Sequence, residues 1–363
     1  PIIQIKNLFN TVISGEWEAI HKIPQSGGDR IYFRIHQGGQ SWIATVSLNI
    51  KENQTFIYFA QHFKAKGLPV PEVLAINKEG TCYIQEDVGT TSLLEVLEKE
   101  GKTDHVFSLF KKSLKSLAEL QVKGHQGLDY QKCLTSKLFG NQSIMSDLLY
   151  YKYYFLDSLQ YPYDKQALMN EFELLSDELA SKDFNYFLFR DFQSRNIMVH
   201  NDEVYFIDFQ GGMQGGLSYD VASLLWQAKA ELSQEWKDQL LAYYIQEVNK
   251  LLPQALNEAA FRKQYNGFVL LRLLQVLGAY GFRGLFERKA HFLTSIPLGL
   301  LNIKNFLQHN TIASDTPVFA SILHWMVGDE VIQRFTPPKA TDETPLVITI
   351  NSFSYKKGIP GDD

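Results

Sequence analysis

The most constraining stretch of this chain is FLFRDFQSRNIMVHNDEVYFIDFQGG, residues 187–212. Three short apolar runs, YFLF, NIMVH and VYFID, are separated by polar turns, so the pattern predicts a compact β island over 186–209. Amphipathic patterns at 92–99, 104–122, 145–158 and 166–180 precede it, and further helical patterns run on to about 330. A small sheet set among helices holds its turns rigidly. Those turns carry Asp191, then Asn196 five positions later, then Asp208 at the end of the next hairpin.

The N-terminal part has a different texture. From Ile20 to Glu86, the runs IYFRI, SWIATVSL and TCYIQ and the turn QGGQ predict a small antiparallel sheet. Within it, KENQTFIYFAQHFKAKG places Phe56, Phe59, Ala60 and Phe63 at helical spacing, with Gly67 as the stop and Pro69 and Pro71 behind it. After EDVG, 86–89, the character turns helical, which sets a boundary near Asp87. The expected class is α+β: a β-rich N-lobe over 1–87 and a mostly helical C-lobe over 88–335. Ser218 is the expected N-cap of a helix whose buried face is Val221, Leu224, Leu225 and Ala228. TPPKATDETP, 336–345, reads as a linker, and 346–363 opens with a strand pattern that suggests the start of a further, truncated domain.

Composition narrows the partners. Forty acidic against thirty-five basic residues give a net charge of -5. With no long Lys/Arg block, nucleic acid and anionic membrane are poor main partners. The two cysteines, Cys82 and Cys133, suit neither a disulfide scaffold nor a zinc site, and a reducing cytoplasm fits them. The longest apolar run, 268–282, is broken by Arg272 and Gln275 and falls short of the roughly 20 residues that cross a bilayer, so it reads as a buried helix.

Phosphoryl transfer from ATP asks the protein mainly for positioning and charge neutralisation. A carboxylate must orient the attacking hydroxyl, and oxygen ligands must hold Mg2+ against the phosphates. Asp191 suits the first role; Asn196 and Asp208 suit the second. Any one of them alone is what a turn ordinarily contains. Together, D-x-x-x-x-N, an apolar strand and then an apolar triplet ending in Asp before Phe match the order and context of a kinase catalytic loop and metal loop.

On these residues, the chain over 20 to about 330 resembles the aminoglycoside phosphotransferase and choline kinase superfamily, with its bilobal protein-kinase-like fold. The continuation DFQGGMQGGLSYDVASLL is similar to the branch of anomeric sugar kinases acting on N-acetylmuramate and N-acetylglucosamine. The resemblance implies a small-molecule kinase using ATP and Mg2+ on a sugar or amino-sugar hydroxyl. An aminoglycoside or choline-type kinase is the alternative. It also implies that Asp220 braces the catalytic loop and that the main chain around Glu86 and Val88 meets adenine. Where the family has His before the catalytic Arg-Asp pair, this chain has Phe189.

The expected lysine is absent from SWIATVSL, so Arg30, Arg34 or Lys51 would have to supply its charge, with Glu52 as partner. That absence motivates a reading of another class, a nucleotide-binding pseudokinase regulating an appended domain. SGGDR, 26–30, sits where a turn of Ser26, Gly27 and Gly28 would cover phosphates. Gln210, Arg272 and Gln275 are candidates for facing the acceptor, although Arg272 and Gln275 on an apolar helix also fit a solvated or salt-bridged role. ITINSFSYKKGIP is similar to the opening of the C-terminal domain of RapZ-type RNase adapter proteins, which implies a further C-terminal domain.

Overall fold

The computed structural model describes residues 1–15, 17–24, 29–180, 186–310 and 315–337. Ser26, Gly27 and Gly28 of the phosphate-turn expectation lie outside the described residues. So do the tail strand and all but the first two positions of the linker.

A five-stranded antiparallel sheet opens the fold: β1 (Ala19–Lys22), β2 (Ile31–Gln37), β3 (Gln40–Val46), β4 (Val73–Ile76) and β5 (Cys82–Glu86), in the spatial order β1-β2-β3-β5-β4. Gln37 pairs with Gln40 across the two-residue turn Gly38-Gly39, whose φ values of 57° and 74° side chains rarely adopt. One face of the sheet is covered by α1 (Ile2–Phe9), an element the sequence reading did not anticipate. Its Ile5, Leu8 and Phe9 pack on Phe33, Ile35, Ala44 and Ile84.

The other face receives α2 (Ile50–Lys64). Asn49 caps it by accepting from the Glu52 amide at 3.2 Å, a contact of about 1 kcal/mol. Gly67 ends the turn at φ 72°, while the Leu68 amide reaches back to the Phe63 carbonyl at 3.1 Å. Phe56, Phe59 and Phe63 are buried not in a separate small-lobe core but in the main one. Phe56 stacks on Phe209 at 4.8 Å between ring centres, and Phe63 meets Phe187 edge-on at 4.8 Å. The helix therefore ties the sheet to the β island.

Beyond Glu86 the order is β6 (Thr91–Ser92), α3 (Leu93–Glu100), α4 (Asp104–His125), α5 (Asn141–Tyr151) and α6 (Lys165–Leu179). Then come β7 (Tyr186–Leu188), β8 (Ile197–His200), β9 (Glu203–Phe206), β10 (Met213–Gly215) and α7 (Ser218–Leu225). The chain continues with α8 (Gln234–Asn249), α9 (Glu258–Tyr280), α10 (Ala290–Leu293), α11 (Ile296–His309), α12 (Pro317–Met326) and α13 (Asp329–Phe335). The β island forms two ladders, β6-β8-β9 and β7-β10. Between β8 and β9 the two-residue turn Asn201-Asp202 takes φ 51° and 59°, the left-handed pair that matches strand twist and that Asn and Asp tolerate.

Two expectations need correction. Ser218 is not an N-cap: Leu217 holds that position, and the Ser218 hydroxyl instead donates to Gln264 on α9 at 3.2 Å. Nor does α7 bury one face, because all eight of its residues are buried and Ala228 belongs to the next short turn. A helix enclosed on every side cannot be distinguished by period alone.

The helical run Glu258–Phe286 is long and apolar enough to cross a membrane by length and composition, yet 61% of its most apolar window is buried inside the fold. It packs on α5, α7 and α11 as a core helix. At its end the helix widens into a π turn, Gly281–Phe286, opposite a second π turn at Lys152–Leu156 where the Tyr-rich helix was expected to continue.

Candidate active site

The turn between β7 and β8 is held by one buried carboxylate. Asp220, in the first turn of α7, accepts the amides of Phe189 at 2.8 Å and Arg190 at 3.0 Å, and also the Gln121 side chain at 3.0 Å. The Tyr244 hydroxyl in turn donates to Gln121. Burial pushes the Asp220 carboxyl up to about 6 against the opposing pull of these donors.

With this support Arg190 adopts φ 81°, which an unsupported arginine avoids. Its side chain turns inward to Asp147 at 2.6 Å and the Tyr219 hydroxyl at 2.5 Å, over the face of Phe139. Phe189, standing where His is usual, is fully buried and packs edge-on against Phe192, Phe206 and Phe209. The departure is thus absorbed by an aromatic layer under the loop, while Asp191 is turned the other way.

Asp191 is 33% exposed, and both its oxygens are engaged. Oδ1 accepts from Gln193 at 2.6 Å and from Arg272 at 2.6 Å; Oδ2 meets Arg195 at 3.2 Å. Burial alone would raise its carboxyl, but Arg272 and then Arg195 outweigh it and hold Asp191 below the ordinary carboxylate range. Arg272 is itself buried, and its other arm donates to Gln275 at 3.0 Å.

Two bonds bring Asn196 and Asp208 to the same turn. The Asn196 side-chain amide donates to the Asp191 main-chain carbonyl at 2.9 Å, which leaves its oxygen free of that bond. The Ile207 amide donates to the Asn196 carbonyl at 3.1 Å, so Asp208 follows directly. Asp208 takes φ 67°, a second strained backbone position. Its side chain is 44% exposed, and the contacts to Gln210 at 2.7 Å and Arg30 at 4.0 Å both fall on Oδ1.

An amide oxygen and a carboxylate presented together, both hard, suit a magnesium-type cation. No group of three His, Cys, Asp or Glu among the described residues could cage a metal alone. A cation here would therefore complete its shell with water and phosphate oxygens, the pattern of nucleotide sites rather than of structural metal sites.

The remaining candidates fall into three places. Arg30 and Glu52 pair at 2.7 Å beside Asp208, and Gln210 reaches Glu52 at 3.4 Å. Arg34 belongs to a different cluster: it clamps Asp87 through two bonds at 2.6 and 3.2 Å and also holds the Gly89 carbonyl. Glu86 directs its carboxylate to Lys64 on α2 at 2.7 Å, and Val88 is buried. The contacts of Arg195 and Gln193 with Asp191 were not foreseen. The sequence signal that existed concerned Arg272, whose charge on an apolar helix had to find an acid.

Comparison with known proteins follows the same lines. The profile described as the phosphotransferase enzyme family matches residues 20–254. An N-acetylmuramate/N-acetylglucosamine kinase of Neisseria meningitidis serogroup B is 26% identical over 278 residues, which cover 73% of this chain and 77% of that protein. Among solved structures, an amicoumacin kinase in complex with AMP-PNP, Ca2+ and its ligand superposes with TM-score 0.58 at 12% identity, covering 93% of this chain and 94% of that one. A choline kinase from Cryptosporidium parvum Iowa II gives TM-score 0.59 at 12% identity, covering 88% and 100% respectively. These two structures share the kinase-like fold with this protein.

Proposed function

Because the chain belongs to the phosphotransferase enzyme family, we propose that it is a small-molecule kinase that uses ATP and Mg2+ to phosphorylate the hydroxyl of a sugar or amino sugar. The observation that carries the reading is the bond from the Asn196 side chain to the Asp191 carbonyl, 2.9 Å, continued by the Ile207 amide on Asn196. It ties the residue suited to receive a proton to the residues suited to hold a cation.

In this reading, Asp191 orients the acceptor hydroxyl and takes its proton as the hydroxyl oxygen bonds to the terminal phosphorus of ATP and the bond from that phosphorus to the departing ADP breaks. Asn196 and Asp208 would hold Mg2+, which would neutralise charge on the ATP phosphates. Arg30, fixed by Glu52, supplies the positive charge that the third strand lacks, which favours a working kinase over a pseudokinase. The amino-sugar acceptor is supported by the Neisseria relative, a kinase named for N-acetylmuramate and N-acetylglucosamine.

The test is a radiolabelled ATP transfer screen against N-acetylmuramate, N-acetylglucosamine, glucosamine, choline and kanamycin, with wild type and Asp191→Ala side by side. The expected result is transfer to an amino sugar, reduced at least about a hundredfold in the variant, on the order of 3 kcal/mol in the barrier. Equal rates for the two proteins would remove Asp191 from the mechanism.

A further inference from the structure

We infer that Gln210 decides which divalent cation the nucleotide site accepts: by occupying one oxygen of Asp208 it leaves a carboxylate that can ligate through the other oxygen alone, and this selects Mg2+ over Ca2+. The inference rests on the proposed cation at Asn196 and Asp208 and deepens it.

Gln210 stands two residues past Asp208, and its side chain turns back on the loop. Nε2 donates to Asp208 Oδ1 at 2.7 Å and reaches Glu52 Oε1 at 3.4 Å. Arg30 pairs with that same Glu52 oxygen at 2.7 Å and lies 4.0 Å from Asp208 Oδ1. The four side chains thus close a ring of which Oδ1 is a member and Oδ2 is not. Arg30 and Gln210 are buried in it, whereas Asp208 is 44% exposed. Among the described residues, every side-chain contact of Asp208 falls on Oδ1.

The orientation of the amide follows from charge. Turned over, Gln210 would set its carbonyl oxygen against two carboxylates, which are acceptors only when ionised. As it stands, that oxygen is buried without a hydrogen-bond partner. An unpaired buried acceptor is unfavourable, and such groups are uncommon enough in native proteins to call for a reason. What the fold gains here is a carboxylate with one oxygen already committed.

Cation chemistry turns on that commitment. Mg2+ demands a tight octahedron of about six oxygens and keeps several waters, whereas Ca2+ takes roughly six to eight and often both oxygens of one carboxylate. Asn196 offers a single oxygen, because its nitrogen donates to the Asp191 carbonyl, and Asp208 offers Oδ2. This donor set leaves room for water and phosphate, which suits Mg2+, and denies Ca2+ the two-oxygen carboxylate that it uses best.

The experiment is calorimetry of AMP-PNP binding to the full chain, once at saturating Mg2+ and once at saturating Ca2+, with the ratio of the two Kd values as readout. Wild type is expected to bind the Mg2+ complex more tightly. Gln210→Met removes the donor at similar volume and should lower the ratio at least about tenfold, the scale on which a hydrogen-bond partner of a metal ligand acts. Gln210→Ser, too short to reach Oδ1, should do the same, so that poor folding of one variant does not decide the matter. Asp208→Asn serves as the reference for a damaged cation site.

An absence of preference in the wild type would overturn the inference, as would an unchanged ratio in the Gln210 variants or a parallel loss with both cations. Failure of the parent reading looks different. AMP-PNP binding indifferent to the cation and to Asp208→Asn would take the metal away from this loop altogether. Binding that requires Mg2+ and Asp208, with the ratio unmoved by either Gln210 variant, would remove only the role of Gln210.

Discussion

Arg30 and Glu52 close on each other at 2.7 Å, Nη2 to Oε1, with the guanidinium packed against Phe56 and its other arm 4.0 Å from Asp208. The cation comes from the residue before β2 and the acid from the first turn of α2. The pair is thus built across the sheet–helix junction, beside the proposed metal residue.

If this pair orients the nucleotide phosphates, Arg30→Met should lower kcat/KM for ATP by roughly ten- to a hundredfold, the range of a lost charge-assisted bond. Glu52→Gln should act in the same direction and more weakly, because Arg30 would remain charged but unaimed. A double-mutant cycle should be strongly non-additive. Additive effects in the steady-state kinetics would show that the two side chains act independently.

Arg272 sets the protonation of Asp191. Burial pushes that carboxyl up, while Arg272 and Arg195 bring it below the ordinary range. The wild-type acid limb of kcat/KM should therefore lie at low pH, with activity lost as pH falls through the depressed value. Arg272→Met removes the largest opposing charge and leaves burial opposed by Arg195, so the limb should move to higher pH, and Arg272→Lys should return part of the shift. An unmoved limb in the methionine variant would mean that Arg272 is only a packing residue.

Asp220 has the opposite sign. Its folded-state value, raised to about 6 from 3.8, means the folded protein keeps a proton that the unfolded chain has already released. Its contribution to stability is complete below the unfolded value and is lost as pH rises through the folded one. Over that window, wild-type stability relative to Asp220→Asn should fall by about 3 kcal/mol, from roughly two pKa units at 1.36 kcal/mol each. Urea denaturation of both proteins between pH 4 and 7 measures the difference. A pH-independent gap would contradict the raised value.

The fold and the proposed reacting residues were not equally legible in the sequence. Asp191, Asn196 and Asp208 fall within eighteen consecutive residues of alternating strand and turn, so local pattern alone put them on neighbouring turns. The buried partner of Asp191 was hidden for a geometric reason: Arg272 is 81 positions away, and only the packing of α9 against α7 and its neighbours brings it to the carboxylate. Arg195 lay in plain view, but a charged residue in a turn carries no mark of what it faces. The misreading of Ser218 has a similar origin, since its hydroxyl was claimed by Gln264 on another helix rather than by its own backbone. The α1 segment was missed because its apolar face has meaning only once the sheet it covers exists.

The facing π turns allow a last prediction that concerns packing alone. Gly281 opens the turn at the end of α9 with ordinary helical φ of -60°, so its backbone angle does not require glycine. What requires it is proximity: a Cβ there would sit 2.2 Å from the Tyr154 carbonyl oxygen and 2.8 Å from its carbon. The obstacle is main chain held in the opposing π turn, which cannot rotate aside as a side chain would. Gly281→Ala should therefore force the two helices apart and destabilise the protein by about 1–3 kcal/mol, the usual cost of overpacking, or more. Gly211→Ala, where an added Cβ meets nothing within 4 Å, should leave the melting temperature nearly unchanged. Because α9 also carries Arg272, the first variant should loosen the hold on Asp191 and raise the acid limb of kcat/KM along with the loss of stability. A destabilised Gly281→Ala protein with an unaltered pH profile would show that the helix yields only at its end, beyond Gln275, and that the contact with Asp191 is insulated from it.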